Sequence, residues 1–289
     1  MVHELYLWLT TPCPPYVRRM RYLYQIIAMR GRHLRNRESW QPHLEKTKQF
    51  ILSSADRCSS HSSVVVLGSG LLLDFPLAEL AERFDEVVLA DIVHLPEVRK
   101  IIRPFPNVRL AQCDVTGSAE QLYRNVRESR RELPQGTPLF PETDGAGLLI
   151  SLNLVSQLAA VPSDYVLREM PELEGEKLSG WCDAVREAHV KALRDLSCDV
   201  CLVADFAYTW RDRDGKVVEE GSTVGSMVFP KPERVWTWHI APDNLVFPEP
   251  EQVWTWNIAP LGEIAKKWSK ELTVGAWHLR KSAQPGTGR

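Results

Sequence analysis

Two glycines and two strand-end carboxylates stand where a nucleoside could be held in this 289-residue chain. The apolar run Val64–Leu67 leads into Gly68-Ser69-Gly70, and a second run, Val87-Val88-Leu89-Ala90, ends in Asp91 about twenty residues later. Glycines at such a loop let backbone approach a ligand. A carboxylate at the neighbouring strand end accepts hydrogen bonds from ribose hydroxyls. Gly-x-Gly alone is common, and the acidic strand end at this spacing makes it informative. Further polar residues fall at later strand ends or just beyond them: Asn153, Ser156, Gln157, Asp205 and Tyr208. Each has a structural alternative, a cap or a satisfied buried hydrogen bond. Asn153 and Asp205 stand out, because ligands bind at strand ends in an open α/β sheet.

The elements that must hold these residues are legible as alternating patterns. Strands are expected at about 63–68, 86–91, 108–113, 147–153 and 199–205, with helices near 75–84, 95–103, 118–131 and 178–196. Strands alternating with helices imply a doubly wound parallel sheet, and the Val, Leu and Ile content suits strands covered on both faces. After Asp205 a turn signal, Asp212-Arg213-Asp214-Gly215, precedes Trp-rich segments. These predict an antiparallel pair closing the sheet, with a short helix at 261–270. Residues 1–58 read differently, as an N-terminal helical cap before an α/β domain at 59–289. Val17, Met20, Tyr24, Ile27 and Leu34 predict a helix over 16–36, and a second helix is expected from Ser39 to about Ser54.

Composition narrows the classes. With 44% hydrophobic residues the chain can bury a substantial core, and its net charge of −2 gives no global field toward nucleic acid or membrane. Residues 17–48 are the exception, with nine Lys or Arg against two acidic residues. That is the composition of a solvated helical face, and it also suits an anionic substrate or RNA. Six scattered cysteines in a chain of this size predict reduced thiols and a cytoplasmic protein. The run Leu5–Leu9 is too short for a signal segment, and no uninterrupted apolar stretch of about 18 residues predicts a membrane span.

Taken together these residues resemble the class I S-adenosylmethionine-dependent methyltransferases, over about 60–281. The resemblance rests on Val64–Gly70, on Asp91, on Asp114 after the third strand, on Ser151-Leu152-Asn153-Leu154 at the end of the fourth, and on the late β segments. It implies a Rossmann-like sheet with an antiparallel C-terminal pair, and S-adenosylmethionine as cofactor. Gly68, Ser69 and Gly70 would pack on the cofactor's carboxypropyl and ribose part. Asp91 would bind the ribose hydroxyls, and Asp114, beside Cys113, would face the adenine edge. Asn153 would sit near the departing methyl group. The chain departs from the family pattern twice: Val66 stands where an acidic residue is common, and Leu72 where a third glycine is frequent. Asp74 would then supply the carboxylate for the cofactor's ammonium group.

Other readings compete. A nicotinamide-dependent dehydrogenase would also use Asp91, but Leu73 occupies the last glycine position of its fingerprint, and no tyrosine has a lysine four residues later. A methyltransferase-like scaffold without turnover is the non-enzymatic alternative. The acceptor expected by default is a small molecule or natural product, because no Asn-Pro-Pro-Tyr follows the fourth strand. His189 shares a helical face with Leu178, Trp181 and Val185, the setting of a packed core histidine, and His43 lies beside Trp40 in the cap. Cys198 and Cys201 would point to opposite faces of a strand, so no metal is expected. Finally, residues 227–242 recur at 245–260 with twelve of sixteen positions identical. Val253–Ile258 is expected to hold the native strand, and Trp236 and Trp238 of the first copy to offer a homodimer surface.

Overall fold

A computed structural model describes residues 2–141, 143–227 and 248–280. Its centre is one sheet of eight strands: β1 (Ser63–Leu67), β2 (Glu86–Asp91), β3 (Val108–Gln112), β4 (Leu148–Leu152), β5 (Asp199–Arg211), β6 (Val217–Ser222), β7 (Gln252–Ala259) and β8 (Ser269–Leu279). The order is β3-β2-β1-β4-β5-β8-β7, with β6 paired to the far end of β5. Strands β1 to β5 pair in parallel, and β8 runs antiparallel between β5 and β7. This is a Rossmann-like, doubly wound sheet closed by antiparallel strands.

The helices are α1 (Val2–Thr10), α2 (Pro15–Arg19), α3 (Tyr22–Arg35), α4 (Arg37–Asp56), α5 (Leu77–Arg83), α6 (Pro96–Ile102), α7 (Ala119–Arg127), α8 (Ala160–Glu169) and α9 (Glu176–Arg194). Side chains alternate across the strands and divide the core into two layers. Val65, Leu67, Val88 and Leu149 pack with Leu122 of α7, Val166 of α8 and Val185 of α9. Val64, Val66, Val87 and Ile150 pack with Phe50 and Ile51 of α4, Leu80 of α5 and Val98 of α6. Strands covered on both faces must be aliphatic throughout, as these are.

Three expectations need correction. The predicted helix over 16–36 is two helices, broken at Arg21, whose φ is 75°. The predicted helix at 261–270 is a set of turns with a bridge between Ala265 and Trp268, after which β8 begins at Ser269. The ladder to β5, eleven pairs long, claims the residues from Ser269 onward. Helix α8 was not anticipated, because Pro162 lies inside it. Pro162 stands in the first turn, where its missing N–H has no intrahelical partner to lose. The second repeat copy does form β7, whereas residues 228–242 of the first copy, including Trp236 and Trp238, lie outside the described residues.

Candidate active site

The strand order reverses between β1 and β4, and a crevice opens beyond their C-terminal ends. A cavity of about 280 Å³ lies there. One wall is built from the loops after β1, β2, β3 and β4. The other is built from Tyr22, Gln25, Ile26 and Met29 of α3, Trp40 and Leu44 of α4, and Trp256 of β7. Gly68, Ser69, Gly70, Asp74, Asp91, Asp114 and Asn153 all line this cavity, so the fold gathers them into one place.

The glycine loop is fixed by the second strand. The Gly68 and Ser69 N–H groups donate to the Ala90 carbonyl at 2.9 and 3.3 Å, and the Gly70 N–H donates to Asp91 Oδ2 at 2.8 Å. Gly68 has φ 75°, and a Cβ there would stand 2.6 Å from Leu154 Cγ. Only glycine meets both conditions. Leu72 has φ 59°, so the backbone keeps a left-handed conformation at the position where glycine is absent. Asp91 uses Oδ2 for Gly70 and has a longer contact from the Val93 N–H to Oδ1 at 3.5 Å. The Ile92 N–H also donates to this carboxylate, and of its roughly four acceptor positions one is left for a ligand's hydroxyl. Burial pushes the Asp91 carboxyl above the usual range, against the attraction of His94.

Asp114 is more heavily engaged. Its Oδ1 accepts from the Thr116 N–H at 3.0 Å and the Thr116 hydroxyl at 2.7 Å, and its Oδ2 accepts from the Ala119 N–H at 2.8 Å, at the start of α7. One acceptor position is left for an amino group. Asp74 Oδ2 accepts from Asn153 Nδ2 at 2.8 Å, and burial raises the Asp74 carboxyl. Asn153 has φ 49°, a conformation that asparagine tolerates better than most residues. Two buried polar atoms in the cavity wall, Ser69 Oγ and Asn153 Oδ1, have no partner. Val66 is fully buried among aliphatic side chains, so the carboxylate of this region comes from Asp74 instead.

Asp205, expected to touch the acceptor, does not line the cavity. It lies at an irregular step in the β5–β8 ladder, and its carboxylate accepts from the Ser156 hydroxyl at 2.7 Å. Gln157, which does line the cavity, donates to Ser156 Oγ at 3.1 Å. The Asp205 carboxylate is thus joined to the cavity only through Ser156 and Gln157. Tyr208 is also remote and bonds Glu219 at 2.7 Å.

His189 and His43 are core groups. His189 is fully buried, 3.0 Å from Ser151 Oγ, and burial brings it down to about 3. His43 lies behind the cavity wall. It stacks on Trp256 at 4.0 Å, accepts from Trp254 Nε1 at 3.0 Å, and is lowered to about 3 by burial. Sequence reasoning missed Trp256, of the Trp254 and Trp256 pair, as the partner of Trp40 in the cavity wall; the Trp40 and Trp256 rings meet edge-on at 5.0 Å. The signal was present as the Val-Trp-Thr-Trp alternation, which puts both tryptophans on one face of a strand.

No family model and no curated protein matches the sequence. Among solved structures the chain is similar to a DhpI complex with SAH, at 12% identity and TM-score 0.32, covering 90% of this chain and 96% of that one. It is similar to the N-methyltransferase NodS of Bradyrhizobium japonicum with S-adenosyl-L-homocysteine, at 12% identity and TM-score 0.34, covering 80% and 85%. It is also similar to a Burkholderia thailandensis 1,6-didemethyltoxoflavin-N1-methyltransferase, at 11% identity and TM-score 0.32, covering 90% and 88%. At such scores the fold assignment rests on this chain's own strand order.

Proposed function

We propose that this chain is an S-adenosylmethionine-dependent methyltransferase acting on a small, largely apolar acceptor. The observation that carries the reading is the cavity at the β1/β4 crevice. It joins a glycine loop, a strand-end carboxylate with a free acceptor position and two unpaired buried polar atoms to an apolar wall. These residues fit the cofactor. Gly68 and Gly70 leave room for close approach, Asp91 faces the ribose hydroxyls, Asp114 keeps one acceptor for the adenine amino group, and Asp74 can face the ammonium group.

When bound, the cofactor supplies an electrophilic methyl carbon. What this chain must add is modest: hold the acceptor in line and keep water out. Trp40, Trp256, Tyr22, Met29 and Leu44 form an apolar surface suited to a flat acceptor. Gln157, set by Ser156 and Asp205, and Asn153, set by Asp74, offer polar contacts to orient it. Among the described residues no lysine or arginine lines the cavity, which argues for an uncharged or cationic acceptor over an anionic one. None of the six cysteines is joined in a disulfide, in keeping with a cytoplasmic setting. Among the described residues no helix is long and apolar enough to cross a membrane.

Calorimetry separates the readings. The methyltransferase reading expects S-adenosylmethionine and S-adenosylhomocysteine to bind at micromolar concentration or tighter, with a reduced nicotinamide dinucleotide not binding. Binding of neither adenosyl compound would leave the scaffold reading, and binding of the dinucleotide alone would favour hydride transfer.

A further inference from the structure

Helix α1 carries its apolar residues on the wrong side for a core. Val2, Leu5 and Leu9 stand at i, i+3 and i+7, the spacing that turns an apolar stripe toward a protein interior. Here they are 86%, 58% and 63% exposed. Tyr6 and Trp8 flank the stripe, and both are exposed. Only Leu7 faces inward, into a cluster with Val17, Leu23, Val93 and Leu95. The polar side chains are the ones tied to the protein. His3 Nε2 lies 3.0 Å from Glu97 Oε1, Glu97 also accepts from Arg30, and the Thr10 hydroxyl donates to the Tyr6 carbonyl. The outward stripe carries no charge.

Beside this stripe lies a basic rim. The Arg18 guanidinium sits 4.7 Å over the Trp8 ring and donates to the Trp8 and Thr11 carbonyls. Arg19 and Arg21 follow, both exposed, and no acidic residue stands between Thr10 and Arg21.

We propose that α1 docks this protein on the surface of an anionic lipid bilayer. Val2, Leu5 and Leu9 would enter below the headgroups, Tyr6 and Trp8 would lie at headgroup level, and the arginines would meet lipid phosphates. An aliphatic stripe flanked by Tyr and Trp and rimmed by Arg is the composition of an interfacial helix. At nine residues, α1 is about 13 Å long, far short of the roughly 30 Å hydrocarbon core, so it lies on the bilayer and does not span it. The same length makes a self-contained dimer face improbable on area, since a stable interface buries about 800 Å² per partner. The expectation of no membrane partner rested on net charge and on the lack of a spanning segment. Neither bears on a local patch. The inference is independent of the cofactor assignment.

Vesicle flotation of the full chain tests it, with phosphatidylcholine vesicles with and without phosphatidylserine. The wild type should float with the anionic vesicles, with affinity falling at high salt. Leu5→Glu with Leu9→Glu should bind about tenfold more weakly or worse, with an unchanged thermal melt, because both side chains are exposed. Should the glutamate pair disturb folding, Leu5→Gln with Leu9→Gln provides the same comparison. Equal binding by variant and wild type, or no binding to either vesicle, would overturn the proposal. So would a wild-type dimer in light scattering that the variant dissolves while vesicles remain unbound.

Discussion

The two walls of the cavity are built on opposite principles. The strand-end wall carries the carboxylates, and its geometry is set by bonds that the loop backbone donates: Gly68 and Ser69 to the Ala90 carbonyl, Gly70 to the Asp91 side chain, Ala119 to the Asp114 side chain. The helix wall is apolar, and residues far apart in sequence compose it, Tyr22 and Trp40 from the N-terminal helices and Trp256 from β7. Trp40 Nε1 donates to the Ile258 carbonyl, which ties α4 to β7 across more than two hundred residues. One wall suits a ligand that every turnover requires. The other can change its acceptor by changing side chains without disturbing the loops.

The largest expected effect lies on the helix wall. Trp256→Ala removes a buried ring that stacks on His43 and meets Trp40. Urea denaturation should show a loss of about 3–5 kcal/mol. Stability within error of the wild type would mean that the wall is not a packed unit. On the opposite wall, Gly68→Ala drives a Cβ into Leu154 and the Leu152 carbonyl at a left-handed φ. A loss of about 1–3 kcal/mol is expected, together with loss of cofactor binding. A variant as stable as the wild type that still binds cofactor would contradict the close approach.

Acidification should move the two walls' readouts apart. Burial raises the carboxyls of Asp74, Asp91 and Asp205 above their ordinary value. A raised carboxyl binds its proton more tightly in the folded chain than in the unfolded one. Its contribution therefore favours folding as pH falls from the folded value toward about 4, and opposes folding as pH rises through that value. Glu97 and Glu263 are held low by Arg30 and Arg35, so the stability they confer is lost only below the ordinary glutamate range. Ligand binding needs Asp91 ionised. Below about pH 6.5 the free protein's melting temperature should nevertheless fall, because the buried neutral His43 and His189, held down to about 3, oppose folding as pH drops, while protonation of Asp91 shrinks cofactor-induced stabilisation. Cofactor-induced stabilisation unchanged down to about pH 4 would contradict the direction assigned to Asp91.

The smallest effect is expected outside the cavity. Deleting 227–244 removes one repeat copy and leaves β7 intact, so cofactor affinity and acceptor turnover should be unchanged. A shortened chain that fails to bind cofactor would show the extra copy to be structural.

The same contrast explains what the sequence disclosed. The first four strands were legible to within a few residues, because aliphatic runs bounded by turn residues are local signals, whereas the fifth, expected at 199–205, runs on to Arg211 through its pairing with β6 and β8. The glycine loop and Asp91 were legible for that reason too. The break at Arg21 was not, since arginine is no punctuation mark and only the packing of α1 and α2 against α3 imposes its φ of 75°. The surroundings of Asp205 were not legible either, because a strand-end carboxylate reads alike whether it faces a crevice or a serine hydroxyl. α4 was read as part of a cap, yet its Phe50, Ile51 and Ala55 belong to the same core as Val64 and Val66. Truncation before Ser59 would therefore expose core, while truncation before Arg37 removes only the first three helices.

The central claim is that Asp91 and the glycine loop hold the cofactor, and one calorimetric comparison addresses it directly. Wild type and Asp91→Asn are titrated with S-adenosylhomocysteine. The wild type should bind at micromolar concentration or tighter. The variant, which keeps the side chain's size but loses its charge, should bind at least about tenfold more weakly, as expected for hydrogen bonds to a charged acceptor. Equal affinity in the two proteins, or no binding by the wild type, would contradict the account.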